Sequence, residues 1–98
     1  MDLEFSGEIW FWRGPSPFHF VSVPAEESAD IGAVAAAVTY GWGVIPVAAT
    51  IGAVTFTTSL FPKDGTYLLP LKAAVRRKLD VTAGDRVAVE MTVQPAQR

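Results

Sequence analysis

Thr66–Val93, TYLLPLKAAVRRKLDVTAGDRVAVEMTV, sets out a strand, a helix, a turn and a second strand in one unbroken passage. Tyr67-Leu68-Leu69 is a short apolar strand. Pro70 is placed to open a helix, where a missing N–H leaves nothing unsatisfied. Residues 71–79 carry Leu71, Ala74, Val75 and Leu79 at helical spacing, one apolar face with a basic face opposite. Thr82-Ala83-Gly84-Asp85 turns the chain, with Asp85 suited to bonding local backbone N–H groups. Val87, Val89, Met91 and Val93 then alternate with Arg86, Ala88, Glu90 and Thr92, which predicts a strand with one buried face.

The same layout occurs earlier in the chain. Residues 3–12 alternate, with Leu3, Phe5, Ile9 and Phe11 on one face and Glu4, Ser6, Glu8, Trp10 and Trp12 on the other. Gly14-Pro15-Ser16-Pro17 breaks that strand. Residues 18–23 predict its hairpin partner, and Pro24 precedes a helix expected to reach about Val38, with Glu26, Glu27 and Asp30 near its positive end. Tyr40-Gly41-Trp42-Gly43 stops the helix. Residues 44–51 and 53–61 predict two further strands joined at Gly52, and Pro62-Lys63-Asp64-Gly65 a turn. FVSVPAEESADI and TYLLPLKAAVRRKL thus share strand, proline and charged helix with little residue identity, each followed by a turn and an apolar strand. Two such units, each with an open face, can cover one another and close a barrel within one chain.

Composition sets the limits. Ninety-eight residues, half of them hydrophobic and 18% charged, predict one compact domain spanning 1–98. No cysteine is present, which removes disulfides and thiolate metal sites and suits a reducing cytoplasm. The acidic start, MDLEFSGE, lacks the basic lead of a signal peptide. No charged residue lies between Asp30 and Lys63, but Gly32, Gly41, Gly43, Pro46 and Gly52 cut that run into short pieces of changing period, so the reading is buried core and not a membrane span. Pro46 deletes a ladder donor and predicts an edge or a bulge.

The segment LLPLKAAVRRKLDVTAGDRVAVEM resembles the half-barrel of AbrB-type transition-state regulators and MazE-type antitoxins, where two chains swap hairpins to complete one barrel. The whole chain from Phe5 to Val93 more closely resembles domain-of-unknown-function family 1905. The likeness is carried by the Phe5–Trp12 strand, His19-Phe20-Val21 with Pro24, Gly41-Trp42-Gly43, Ala49-Thr50-Ile51-Gly52 and Thr58-Ser59-Leu60-Phe61-Pro62. It continues through Tyr67-Leu68-Leu69-Pro70-Leu71-Lys72, Val75-Arg76 and Gly84-Asp85. The resemblance implies an α+β, mainly β fold: a small closed double-split β-barrel of about six strands with two short helices and internal pseudo-two-fold symmetry. It implies no established activity. Relatives have basic residues flanking the Gly-aromatic-Gly segment, whereas this chain has Thr39-Tyr40 and Val44-Ile45-Pro46 there, so an anion site in that loop would lack its cations here.

Catalytic chemistry finds little footing. His19, the only histidine, lies between Phe18 and Phe20 with no second His or Cys nearby. Ser59 in TSLFP lacks the nucleophile elbow of a hydrolase. A Ser59/His19 hydrolase is the third-ranked reading, and would require the two side chains to meet. The scattered carboxylates show no metal or acid–base layout, so no catalytic residue, metal or cofactor is assigned. The basic helix is the main functional clue: Lys72, Arg76, Arg77 and Lys78 place four of the eight cations within one short helix. On a net charge of −2 this is first a solvated face, and otherwise a contact for an anion. Trp10 and Trp12 on the polar face of the first strand predict either a helix covering the outer sheet, which small domains favour, or an apolar groove. The leading expectation is a non-catalytic, cytoplasmic binding module, monomeric or weakly dimeric. It would hold a small anion or a protein partner through Lys72, Arg76, Trp42 and Tyr67. The alternative is an AbrB-like DNA-binding regulator contacting phosphates through Lys72, Arg76, Arg77 and Lys78.

Overall fold

Six antiparallel strands close on one another in the order β1-β2-β5-β4-β3-β6, with β6 returning to β1. The structure is a computed structural model that describes residues 1–34 and 44–93. Its elements are β1 (Asp2–Trp12), β2 (Phe18–Val23), α1 (Ala25–Ala33), β3 (Ile45–Ile51), β4 (Val54–Lys63), β5 (Thr66–Leu71), α2 (Ala73–Leu79) and β6 (Arg86–Val93). The expected closed barrel, mainly β with two short helices, is the fold observed. The predicted end of the first helix and the Gly41-Trp42-Gly43 loop lie outside the described residues.

Alternation selects the core. Ile9, Val21, Ile45, Val47, Leu60, Leu69 and Leu71 are fully buried, joined by Val89, Met91 and Val93 from β6. Ile31 and Val75 are the buried residues through which α1 and α2 join this cluster. Strict in–out alternation over Arg86–Val93 fixes the register, because a slip by one residue would turn every valine outward. β3 and β4 take up half of the long uncharged run. Among the described residues no helix is long and apolar enough to cross a membrane.

The two halves are equivalent. β1–β2–α1–β3 and β4–β5–α2–β6 each contain a long strand, its hairpin partner, a helix and a closing strand. β1 pairs β6 as far as Glu8 and β2 from Ile9 onward. In the same way β4 pairs β3 as far as Leu60 and β5 from Phe61 onward. Across the axis β2 pairs β5, with Val23 opposite Tyr67 and Leu71 opposite His19, an exchange that makes Val23 the counterpart of Leu71 and His19 the counterpart of Tyr67.

Two local details differ from expectation, at Pro70 and at the turn after β4. Pro70 does not open the helix: it is buried inside β5, opposite Phe20, and α2 begins at Ala73 after Lys72. The missing N–H is tolerated because the β4–β5 register ends at Phe61↔Leu68, leaving Pro70 with one partner strand. Pro46 is placed alike, paired with Ser59 of β4 and beyond the β6 register, so β3 has at that point the edge expected from its sequence. The turn after β4 is tighter than expected. β4 runs through Pro62 and Lys63, leaving Asp64 and Gly65, both at positive φ, as a two-residue hairpin loop.

The Thr82–Asp85 turn forms as expected. The Thr82 N–H donates to Asp85 Oδ2 at 2.8 Å, and the Gly84 N–H donates to the Ile9 carbonyl at 2.8 Å, tying the turn to β1.

Candidate functional site

The outward side of the β1–β2–β5–β4 wall carries a band of aromatic side chains. On β1 and β2 the residues that alternate with the core are Trp10, Trp12, Phe18 and Phe20, and register places Trp10 opposite Phe20 and Trp12 opposite Phe18. Phe20 is the centre of the band. Its ring lies 5.5 Å from Trp10, 5.6 Å from Phe18 and 6.2 Å from Trp12, all tilted or edge-on, the arrangement that aromatic quadrupoles favour. Trp10 is fixed by its Nε1–H, which donates to Ser22 Oγ at 3.0 Å. The other side of the band comes from β4 and β5: Phe61 and Pro62, then Leu68 and Pro70.

Between these two sides lies a cleft of about 670 Å³, within the range of small-molecule sites. Its walls are mainly apolar, yet two lysines border it, Lys63 from the end of β4 and Lys72 from the residue before α2. Lys63 Nζ lies 5.8 Å from the centroid of the Trp12 ring and 3.6 Å from the carboxylate of Asp64. That ion pair is exposed and contributes little. Trp12 and Phe61 stay 42% and 45% exposed, so the apolar surface is open to a ligand. A second depression of about 420 Å³ passes Glu4, Phe5, Ser6, Thr50 and Glu90, with two carboxylates and no cation among the residues that line it.

The residues expected from sequence do not share one site. Lys72 borders the aromatic cleft. Arg76 turns away, its Nε donating to the Leu71 carbonyl at 3.4 Å, and with Arg77 and Asp80 it lines a separate hollow of about 210 Å³. Tyr67 lines a third hollow, beside Ser28 and Gly32. Trp42 lies outside the described residues. Lys72, Arg77 and Lys78 are exposed and Arg76 is half-buried, as on a solvated helix face.

His19 shares the inward parity of Val21 at the end of the barrel, its ring centroid 4.8 Å from that of Phe11 and tilted 53° to it. Burial holds its pKa below the usual histidine value, and the Arg76 guanidinium adds to that depression. Ser59 alternates with the fully buried Leu60 and so faces outward, on a strand separated from β2 by β5. The wall therefore keeps Ser59 and His19 on opposite faces. Among the described residues no His, Asp or Glu cluster could hold a metal ion.

Sequence reasoning missed Lys63, Phe18, Phe20 and Phe61. Their signal was present: Phe18 and Phe20 have the parity of a β2 outer face, directly across the hairpin from Trp10 and Trp12. Of the two readings of those tryptophans, the groove is the one the described residues form, since strands and turns, with Lys72 at one edge, line the Trp12 face.

Residues 5–91 match the family described as Domain of unknown function (DUF1905). The chain belongs to that family. Among curated proteins no sequence matches it.

Proposed function

We propose that this DUF1905 domain is a non-catalytic binding module for a small anionic ligand, seated in the aromatic cleft with Lys63 and Lys72 supplying the positive charge. The observation that carries this reading is the meeting of Lys72 and Lys63 with Trp12, Phe18 and Phe20 around one concavity. A concave, largely apolar surface with few polar groups supplies burial energy, and the lysines at its border supply orientation. Among the described residues that line the cleft there is no nucleophile–base pair, and binding without turnover is the chemistry these side chains support. The regulator reading draws support only from the basic face of α2, and a barrel complete within one chain gives it half of a symmetric dimer's footprint.

The test is a calorimetric titration against a panel of small carboxylates and phosphates, at low and moderate salt. For a ligand so found, the double variant Lys63→Gln/Lys72→Gln should weaken binding roughly tenfold or more, as loss of two charge-assisted contacts implies. Arg76→Ala should leave affinity unchanged. Full binding by the double variant, or loss of binding in Arg76→Ala, would reject the cleft as the site.

A further inference from the structure

The two sides of the cleft are symmetry counterparts with different chemistry, and that difference specifies the ligand. Phe20 and Phe18 are the counterparts of Leu68 and Thr66, so through the two hairpin registers their partners Trp10 and Trp12 correspond to Phe61 and Lys63. The residues preceding the two helices, Pro24 and Lys72, correspond likewise. The first half therefore contributes an aromatic wall, and the second contributes both cations.

Trp12 is held so as to present a ring face. A Cβ built on Gly14 would lie 2.5 Å from Trp12 Nε1 and 2.7 Å from Cε2, so the indole rests against the turn at Gly14 and a side chain there would have to displace it. Lys63 Nζ already lies over the ring, which identifies its electron-rich face as accessible to a partner.

From these features we infer that the ligand is a planar aromatic ring bearing an anionic group, the ring stacked on Trp12 beside Phe20 and the anion held between Lys63 and Lys72. This rests on the binding-module reading of the same cleft. Stacking takes the place of the Lys63 ammonium over the indole and frees that ammonium for the anion. An aliphatic chain gains most from enclosure on all sides, whereas this cleft is open, walled by rigid ring planes and charged along one border. A carboxylate and a phosphate present the same chemistry to two lysines, and both belong in the test.

The experiment follows tryptophan fluorescence and backbone amide shifts on titration with 1-naphthoate, 1-naphthyl phosphate, octanoate and the neutral 1-naphthalenemethanol. The aromatic anions are expected to bind about tenfold more tightly than either octanoate or the alcohol, with shifts centred on Trp12, Phe20 and Lys72. The two aromatic anions, compared with each other, show which anion the lysines prefer. Trp12→Leu keeps an apolar wall without the ring, and should remove most of the preference for naphthoate over octanoate. Gly14→Ala should weaken the aromatic anions several-fold by dislodging the indole, in a turn outside the barrel. Equal binding of octanoate and naphthoate at the same residues would overturn the ring requirement while leaving the anion site in place. Failure of all four probes to shift cleft resonances at millimolar concentration would overturn both.

Discussion

Ser28 and Arg76 occupy the same place in the two halves of the barrel, four residues beyond the position that precedes each helix, and each bonds the carbonyl that ends the preceding strand. Ser28 Oγ donates to the Val23 carbonyl at 3.1 Å, and Arg76 Nε donates to the Leu71 carbonyl at 3.4 Å. The backbone requirement is identical, since a strand that stops to start a helix leaves its last carbonyl without a ladder partner. The solutions differ in burial. Ser28 is 2% exposed and also accepts a hydrogen bond from the Tyr67 N–H at 3.2 Å, so one hydroxyl joins α1 to the opposite half. Arg76 is half-buried and carries a charge past the carbonyl to the surface. The fold thus demands the bond and leaves its chemistry free: the first half meets it with a neutral hydroxyl, the second with one of the cations of its basic helix.

The strongest way to break the comparison is in the core, where the halves should behave alike. Ile9 and Leu60 are fully buried counterparts, at the point where each long strand passes from one partner to the next. Ile9→Ala and Leu60→Ala are each expected to cost about 2–5 kcal/mol by urea denaturation, through lost burial and the cavity left behind. Values that differ by more than about 2 kcal/mol would show that one half collapses around the cavity and the other does not.

Caps should separate the halves where the core unites them. Ser28→Ala removes a buried donor and acceptor together, leaving the Val23 carbonyl and the Tyr67 N–H without that partner, and should cost roughly 1–3 kcal/mol. Arg76→Ala opens its carbonyl to water and should cost less than about 1 kcal/mol. Equal losses in the two variants would mean that the guanidinium acts as a buried group, contrary to the exposure of its helix face.

What the sequence made legible follows the same line. Period-two alternation in Leu3–Trp12 and Arg86–Val93 was enough to place the strands, because one buried face leaves no freedom of register. Proline was ambiguous: Pro70 fits a helix start as well as a one-sided stretch of strand, and only the end of the β4 register decides between them. The candidate site was legible in kind and not in membership. Lys72 and the outward tryptophans were visible, but Arg76 and Tyr67 are close to Lys72 in sequence and point into separate hollows. Lys63 is distant in sequence and reaches the cleft through the β4–β5 hairpin. Such a juxtaposition is set by strand order, which residue spacing does not encode.

The smallest effect tests the pair His19 and Tyr67, counterparts at the two ends of the β2–β5 pairing. Of the two, His19 has its folded pKa held below the ordinary value of 6.5, by burial first and Arg76 second. The folded state therefore resists the proton more than the unfolded chain does. Above the unfolded pKa both states are neutral and the full stability is present. As the pH falls through that value the unfolded chain takes up the proton first, and stability declines until the folded histidine is also protonated. Denaturation midpoints between about pH 7.5 and 5.5 should accordingly fall for the native chain. His19→Tyr, which gives the first half the second half's residue, should flatten that slope, and so should His19→Gln. Carboxylates titrate mostly below this window, so the difference between native chain and variant isolates the imidazole. Parallel slopes would mean that His19 is as free to ionise in the barrel as in water, and that Arg76 and burial at the barrel end have no hold on it.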